Sequence, residues 1–279
     1  MKVKIWGTRG SVASPGRSTA RYGGNTSCVE VVGEDGTRLV LDAGTGIREL
    51  GLALPKDQKR VDVLLSHLHL DHVQGLGFFA PLFDPSMEVH IWGPSSATLD
   101  LRGRLMRYLS APLFPVRLRE LPCKLRFHEV PCAACRVGDF EICSMLVCHP
   151  GPTVGYRIRD PGGVIAYLCD HEPALGRSFP LLPADWTSGC GVAENVDLLI
   201  HDAQYTDEEY AQRVGWGHSS MKQAMQFAEL VRAKHLVPFH HDPSHDDLTL
   251  ERMISRTVAA IKPTFQVTTA KEGAVFEVG

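Results

Sequence analysis

Ser66-His67-Leu68-His69-Leu70-Asp71-His72 is the stretch that decides the reading of this chain. Four metal-competent side chains fall within six consecutive residues, His67 to His72. Residues two apart do not share a helix face, but in an extended segment they lie on one side. His67 and His69 can therefore grip one ion just where the apolar run Val61–Leu65 ends, and Asp71 and His72 follow in the turn and can face a second. Burying this much polarity without an ion would be costly.

One segment cannot complete two coordination spheres, so further ligands are expected at other strand ends. His149 follows the run Phe140–Val147, Asp170 follows Val164–Leu168, and His240 follows Leu236–Phe239. His241 competes with His240, which is preferred because it directly follows the apolar run. The ends of strands are where loops gather sites in α/β folds. Strands are also expected at Val3–Trp6, Cys28–Val32, Leu39–Leu41, Val89–Trp92, Val154–Ile158 and Val196–Ile200. Helical patterns cover Thr98–Leu109, Asp207–Arg213, Ser219–Ala233 and Leu248–Ile261. Met221, Ala224, Met225, Ala228 and Val231 recur at a period near 3.6. Strands and helices mix along the length with no break in composition, which points to one α/β domain over residues 1–279. The Pro-rich residues 110–122 read either as a surface connection or as a lid.

Composition narrows the classes. Of 279 residues, 44% are apolar and 22% charged, which excludes a disordered tail, a collagen-like fibre and a coiled coil. Lys and Arg total 29 against 32 for Asp and Glu, a net charge of -3. That balance disfavours nucleic acid as a partner, because phosphate contacts call for a basic excess. No apolar stretch has membrane-spanning length, and Met1-Lys2-Val3-Lys4-Ile5-Trp6-Gly7 carries no signal-peptide core. The eight cysteines read as reduced thiols of a cytoplasmic protein. Cys132 and Cys135 read as small residues of a turn rather than a zinc or redox motif.

The ordered set Ser-His-x-His-x-Asp-His, then His149, Asp170 and His240, resembles the metallo-β-lactamase fold superfamily over nearly the whole chain. The resemblance implies an αββα sandwich of two mixed β-sheets flanked by helices, with a dinuclear site in a cleft. It implies that His67, His69 and His149 hold one divalent ion, that Asp71, His72 and His240 hold the other, and that Asp170 bridges. Asp42, in Leu41-Asp42-Ala43-Gly44-Thr45-Gly46, matches an early Asp that supports the ligands from behind. Imidazole and carboxylate donors together suit zinc, with manganese or iron as alternatives. Two divalent ions outweigh Asp71, Asp170 and a bridging hydroxide by about one positive charge, which favours an anionic substrate.

His201-Asp202-Ala203-Gln204-Tyr205 and Gly215-Trp216-Gly217-His218-Ser219-Ser220 resemble the His-Glu-Ala-Thr and Gly-His-Ser-Thr segments of ribonuclease Z-like phosphodiesterases. Carried over, His218 gives a proton to the leaving oxygen and Asp202, where that branch usually has Glu, orients it. Asp71 is counted with them as catalytic. A bland reading has Ser219 capping the next helix with His218 as its neighbour. Only twenty residues separate His149 from Asp170, where bacterial ribonuclease Z carries a tRNA-gripping arm. Gly7-Thr8-Arg9-Gly10 and His240-His241-Asp242-Pro243 look closer to phosphoribosyl cyclic phosphodiesterases and bacterial cyclic-nucleotide phosphodiesterases. The expectation is a phosphodiesterase that cleaves a small cyclic or nucleotide diester through a metal-bound hydroxide, with a homodimer weakly implied. An acyl hydrolase (thioesterase or lactonase) and a tRNA 3′-processing endonuclease are the alternatives, and a non-enzymatic nucleotide or metal sensor ranks last.

Overall fold

In the computed structural model of the chain, the described residues are 1–130, 134–176 and 183–279. Strands β1 (Lys2–Gly7), β2 (Cys28–Val32), β3 (Arg38–Leu41), β4 (Arg60–Leu64), β5 (Glu88–Pro94) and β6 (Lys124–Val130) belong to one sheet. Strands β7 (Cys135–Val137), β8 (Phe140–Leu146), β9 (Val154–Asp160), β10 (Gly163–Leu168), β11 (Leu198–Asp202), β12 (His235–Phe239) and β13 (Gln266–Val267) form the other. β14 (Val275–Glu277) returns to pair antiparallel with β1. In space the first sheet runs β14-β1-β2-β3-β4-β5-β6 and the second β13-β12-β11-β10-β9-β8-β7. Both are mixed: β3 through β6 are parallel, as are β10 through β13, and the remaining pairs are antiparallel.

The helices are α1 (Ile47–Ala53), α2 (Leu70–Val73), α3 (Leu101–Met106), α4 (Cys190–Ala193), α5 (Asp207–Ala211), α6 (Met221–Leu230) and α7 (Asp247–Ile261). Strand alternation divides the apolar residues among three cores. Ile5, Val29 and Leu41 meet Tyr156, Ile158, Ile200 and Phe239 between the sheets. Val61, Val63, Val89 and Ile91 face outward onto Ile47 and Leu50 of α1 and Leu101 and Leu105 of α3. Ala166, Leu199 and Leu236 face outward onto Ala224, Met225 and Ala228 of α6 and Met253 of α7. Each fully buried Val, Leu or Ile contributes about 1.5–3 kcal/mol. The result is the expected αββα sandwich of two mixed sheets.

Some elements differ from the sequence expectation. The alternating Lys124–Val130 segment pairs with β5, and β7, β13 and β14 are short additions at sheet edges. The Val196 strand begins instead at Leu198 and runs through Asp202, in register beside β12. The Thr98–Leu109 helix is cut to Leu101–Met106, because the Asp100 carboxylate caps it by accepting from the Gly103 amide. Within residues 110–122, Phe114 and Leu118 anchor into the outer core while Leu113 stays exposed. Cys132 lies outside the described residues, and Cys135 opens β7.

Candidate metal centre

The carboxyl ends of β3, β4, β8, β10, β11 and β12 place Asp42, the His67–His72 segment, His149, Asp170, Asp202 and His240 together. Asp170 lies at the middle. Its Oδ1 stands 3.1 Å from both His72 Nε2 and His240 Nε2. Its Oδ2 stands 3.6 Å from His67 Nε2 and 3.7 Å from His149 Nε2. His69 Nδ1 is 3.1 Å from His149 Nε2. Asp71 Oδ2 is 3.2 Å from His72 Nε2 and 3.3 Å from His240 Nε2. The donors therefore form two lobes joined by Asp170: His67, His69 and His149 on one side, and His72 and His240 with Cys169 on the other, with Asp71 beside the second. His241 is not among them. His240 takes a left-handed φ of 59°, and the following ring turns away to the Ala270 carbonyl, 3.1 Å from its Nε2.

Hydrogen bonds fix which nitrogen faces inward. His72 Nδ1 donates to Asp42 Oδ2 at 2.8 Å, His149 Nδ1 to the Gly217 carbonyl at 2.8 Å, and His240 Nδ1 to Gln204 Oε1 at 2.9 Å. His67 Nδ1 lies 3.1 Å from the Ser66 hydroxyl. Each leaves its Nε2 lone pair directed at the cluster, the orientation that a metal ligand needs. Asp42 accepts from the Ser66 amide and hydroxyl, His72 and the Tyr167 hydroxyl of β10, tying the two sheets together behind the site. The Ser11 amide donates to Asp71 Oδ2 at 2.7 Å.

This arrangement fits divalent cations. His67 Nε2, His72 Nε2 and Asp170 Oδ1 are buried with no hydrogen-bond partner among the described residues. Ligands 2.0–2.1 Å from a tetrahedral ion stand roughly 3.3 Å apart, close to the spacings here. Burial pushes His67 well below its usual range, and burial lowers His149 as well, so both rings are neutral, the state in which imidazole can bind a metal. Burial opposes charge on His72 too, but Asp170, Asp71 and Asp42 outweigh it and raise its pKa. Three carboxylates around one imidazole make a site that favours positive charge.

Beside the cluster, His218 Nδ1 donates to Asp202 Oδ2 at 2.7 Å and lies 3.9 Å from Asp170 Oδ2. Its ring stacks on His240 and stands edge-on to His149. Burial lowers its pKa, yet the charge and hydrogen bond of Asp202, aided by Asp170 and Asp71, raise it to about 9. The helix cap is Ser220, whose hydroxyl accepts from the Gln223 amide. Ser219 instead ties Asp202 Oδ1 through its amide and the His171 carbonyl through its hydroxyl.

The beta-lactamase superfamily domain matches residues 37–241, from β3 through His241. The chain belongs to the beta-lactamase superfamily. Ribonuclease Z of Deinococcus radiodurans is 31% identical over 198 residues, 60% of this chain and 56% of that protein. The match thus spans little more than half the length of that relative. The crystal structure of the metallo-beta-lactamase fold protein YhfI from Bacillus subtilis superposes with a TM-score of 0.70 at 21% identity, covering 99% of each chain. That of a diphosphatase from the PhnP family superposes at 0.69 and 19% identity, covering 100% of this chain and 98% of that one. For a beta-lactamase superfamily chain, this His/Asp cluster is a divalent-metal site. No helix among the described residues is long and apolar enough to cross a membrane.

Several supporting residues of this superfamily member escape a reading of the sequence. Gln204 is signalled only by its place in the Asp202 segment. Glu172, two residues past Asp170, is a fully buried carboxylate that accepts from the Gly215 and Gly217 amides and the Tyr210 hydroxyl. It pins the loop whose Gly217 carbonyl holds His149 and whose next residue is His218. Gly217 must stay glycine, because its φ is 87° and a Cβ would lie 2.3 Å from His149 Nδ1. Arg9 is fully buried, and its guanidinium donates to the carbonyls of Gly23, Asp242 and His245, so it holds loops. His171 pairs with His201 at 2.9 Å and stays off the cluster.

Proposed function

We propose that this protein is a dinuclear metal-dependent phosphodiesterase. The carrying observation is the Asp202-held His218 set 3.9 Å from the carboxylate that joins the two donor lobes. His67, His69 and His149 would hold one ion, and Asp71, His72 and His240 the other, with Asp170 between them. Zinc suits the donors, with manganese or iron as alternatives. Two such ions would supply an activated water and a clamp on phosphoryl oxygens. His218, charged through neutral pH, gives its Nε2 proton to the departing oxygen while Asp202 holds Nδ1 and the ring orientation. Asp71 keeps its charge because His72 and His240 hold its carboxyl well below the usual range despite burial. An acyl hydrolase has less need of a held imidazolium, which favours phosphodiesters over thioesters and lactones.

The name of the Deinococcus radiodurans relative brings RNA back as a substrate, against the expectation drawn from net charge. An RNA diester therefore stands beside a small cyclic or nucleotide diester. The test is elemental analysis for metal together with hydrolysis of bis-(p-nitrophenyl) phosphate, 2′,3′- and 3′,5′-cyclic nucleotides and a 3′-extended tRNA. Two metals per chain with diester turnover is the expected result. Metal without turnover of any diester would move the assignment to acyl transfer, and a protein that retains no metal would overturn it.

A further inference from the structure

A cavity of about 430 Å³ opens beside the donor cluster, with His67 and His69 in its wall. His218 is not in that wall, so the cavity receives a part of the substrate other than the leaving oxygen. Leu113 and Pro150 make part of the lining apolar, and Arg104 and Arg107 bring charge. The two arginines differ. Arg104 donates to the carbonyls of Pro94 and Asp100 and lies 3.5 Å from Glu129, so its charge is already answered. Arg107 is exposed, and its guanidinium has no hydrogen bond or ion pair among the described residues. The surrounding segment is basic: Arg102, Arg104, Arg107, Arg117 and Arg119 stand against Asp100 and Glu120, in a chain of net charge -3. A guanidinium stays charged at any working pH and matches a phosphate with two parallel donors.

We propose that Arg107 holds a phosphate adjacent to the scissile one. The substrate is then a phosphodiester with a second phosphate group, borne by a small nucleotide or by the next nucleotide of an RNA strand. This inference rests on the phosphodiesterase reading and adds the substrate's charge pattern to it. Leu113 and Pro150 supply apolar surface for the sugar or base between the two phosphates.

The test compares the metal-loaded full chain with its Arg107→Ala variant, which loses no side-chain hydrogen bond or ion pair among the described residues. Substrates are a diadenosine monophosphate with and without a 5′-phosphate, an RNA hairpin with a 3′ extension, and bis-(p-nitrophenyl) phosphate. The unchanged protein should prefer the 5′-phosphorylated dinucleotide, or show a low KM on the hairpin. Arg107→Ala should raise that KM at least about tenfold, the scale of one charge-assisted contact, and leave bis-(p-nitrophenyl) phosphate within about twofold. Dependence on Arg107 for the dinucleotide marks a small nucleotide, and dependence for the hairpin alone marks the RNA strand. Equal loss on all substrates, or none on any, overturns the role of Arg107 while leaving the phosphodiesterase reading intact. Absence of any diester turnover in the unchanged protein overturns both.

Discussion

Asp42–His72 and Asp202–His218 are the same chemical pair built twice, once on each sheet. In both, Nδ1 of the imidazole donates to a buried carboxylate, at 2.8 Å and 2.7 Å. Their other nitrogens meet different surroundings. His72 is fully buried, and its Nε2 faces Asp71 and Asp170. The His218 side chain is 11% exposed, and its Nε2 has no partner among the described residues. A carboxylate behind an imidazole sets only the tautomer and the charge preference. On the proposed function, what stands in front of the other nitrogen would make one ring a ligand and the other a proton donor.

Breaking the first pair should have the largest effect. Asp42→Ala strands the Ser66 amide and hydroxyl, His72 Nδ1 and the Tyr167 hydroxyl in the interior. A cost on the order of 3–5 kcal/mol is expected, with metal content falling together with the urea midpoint. Metal retention at wild-type stability would show that the two pairs are not different in kind.

His218→Ala should keep both metals and lower turnover about 10²–10⁴-fold on poor leaving groups. A p-nitrophenolate ester, which departs without a proton, should lose far less. Equal losses on the two ester classes would remove the general-acid role.

Asp202→Asn sharpens the comparison through pH. The His218 pKa in the folded chain is raised, to about 9, so the ring is protonated at neutral pH and loses its proton as pH rises through that value. Activity should therefore fall on the alkaline side. Bound cations offset Asp170 and Asp71 and pull that limb lower, but the share owed to Asp202 remains. Asn removes it, and the limb should move toward acid by about one unit or more. A limb that stays in place in a pH–rate profile would assign the titration to another group.

Glu172→Gln should act through the Gly215–Gly217 loop on His218 and, by way of the Gly217 carbonyl, on His149, with a loss of about tenfold in turnover. On a His218→Ala background the further cost should shrink to the part carried by His149, because coupled residues are not additive. His241→Ala is the smallest change. It should leave metal content and turnover unaltered, because that ring bonds a backbone carbonyl outside the cluster.

Much of this was legible in advance. The strands at Cys28–Val32 and Phe140–Leu146 coincide with apolar runs, and α6 follows its 3.6-residue period. β6 was not legible, because Lys124-Leu125-Arg126-Phe127-His128-Glu129 looks half polar until β5 is laid beside it. α1 is short and capped by no side chain, so its start carries no signal. The Ser219 cap expectation failed because two serines stand side by side and only the backbone geometry chooses Ser220.

The donor types, their order and their places at strand ends followed from the sequence by itself. Side-chain chemistry and short periodicities are local properties, readable within a few residues. The tertiary structure alone decided that His240 rather than His241 faces the cluster, that the two oxygens of Asp170 look into different lobes, and that Glu172 holds the His218 loop. It also decided that Arg104 is answered by Pro94, Asp100 and Glu129 while the Arg107 guanidinium at the same cavity has no hydrogen bond or ion pair among the described residues. Each of these depends on where atoms from distant segments meet, and that is set by the packing of two sheets rather than by any local spacing.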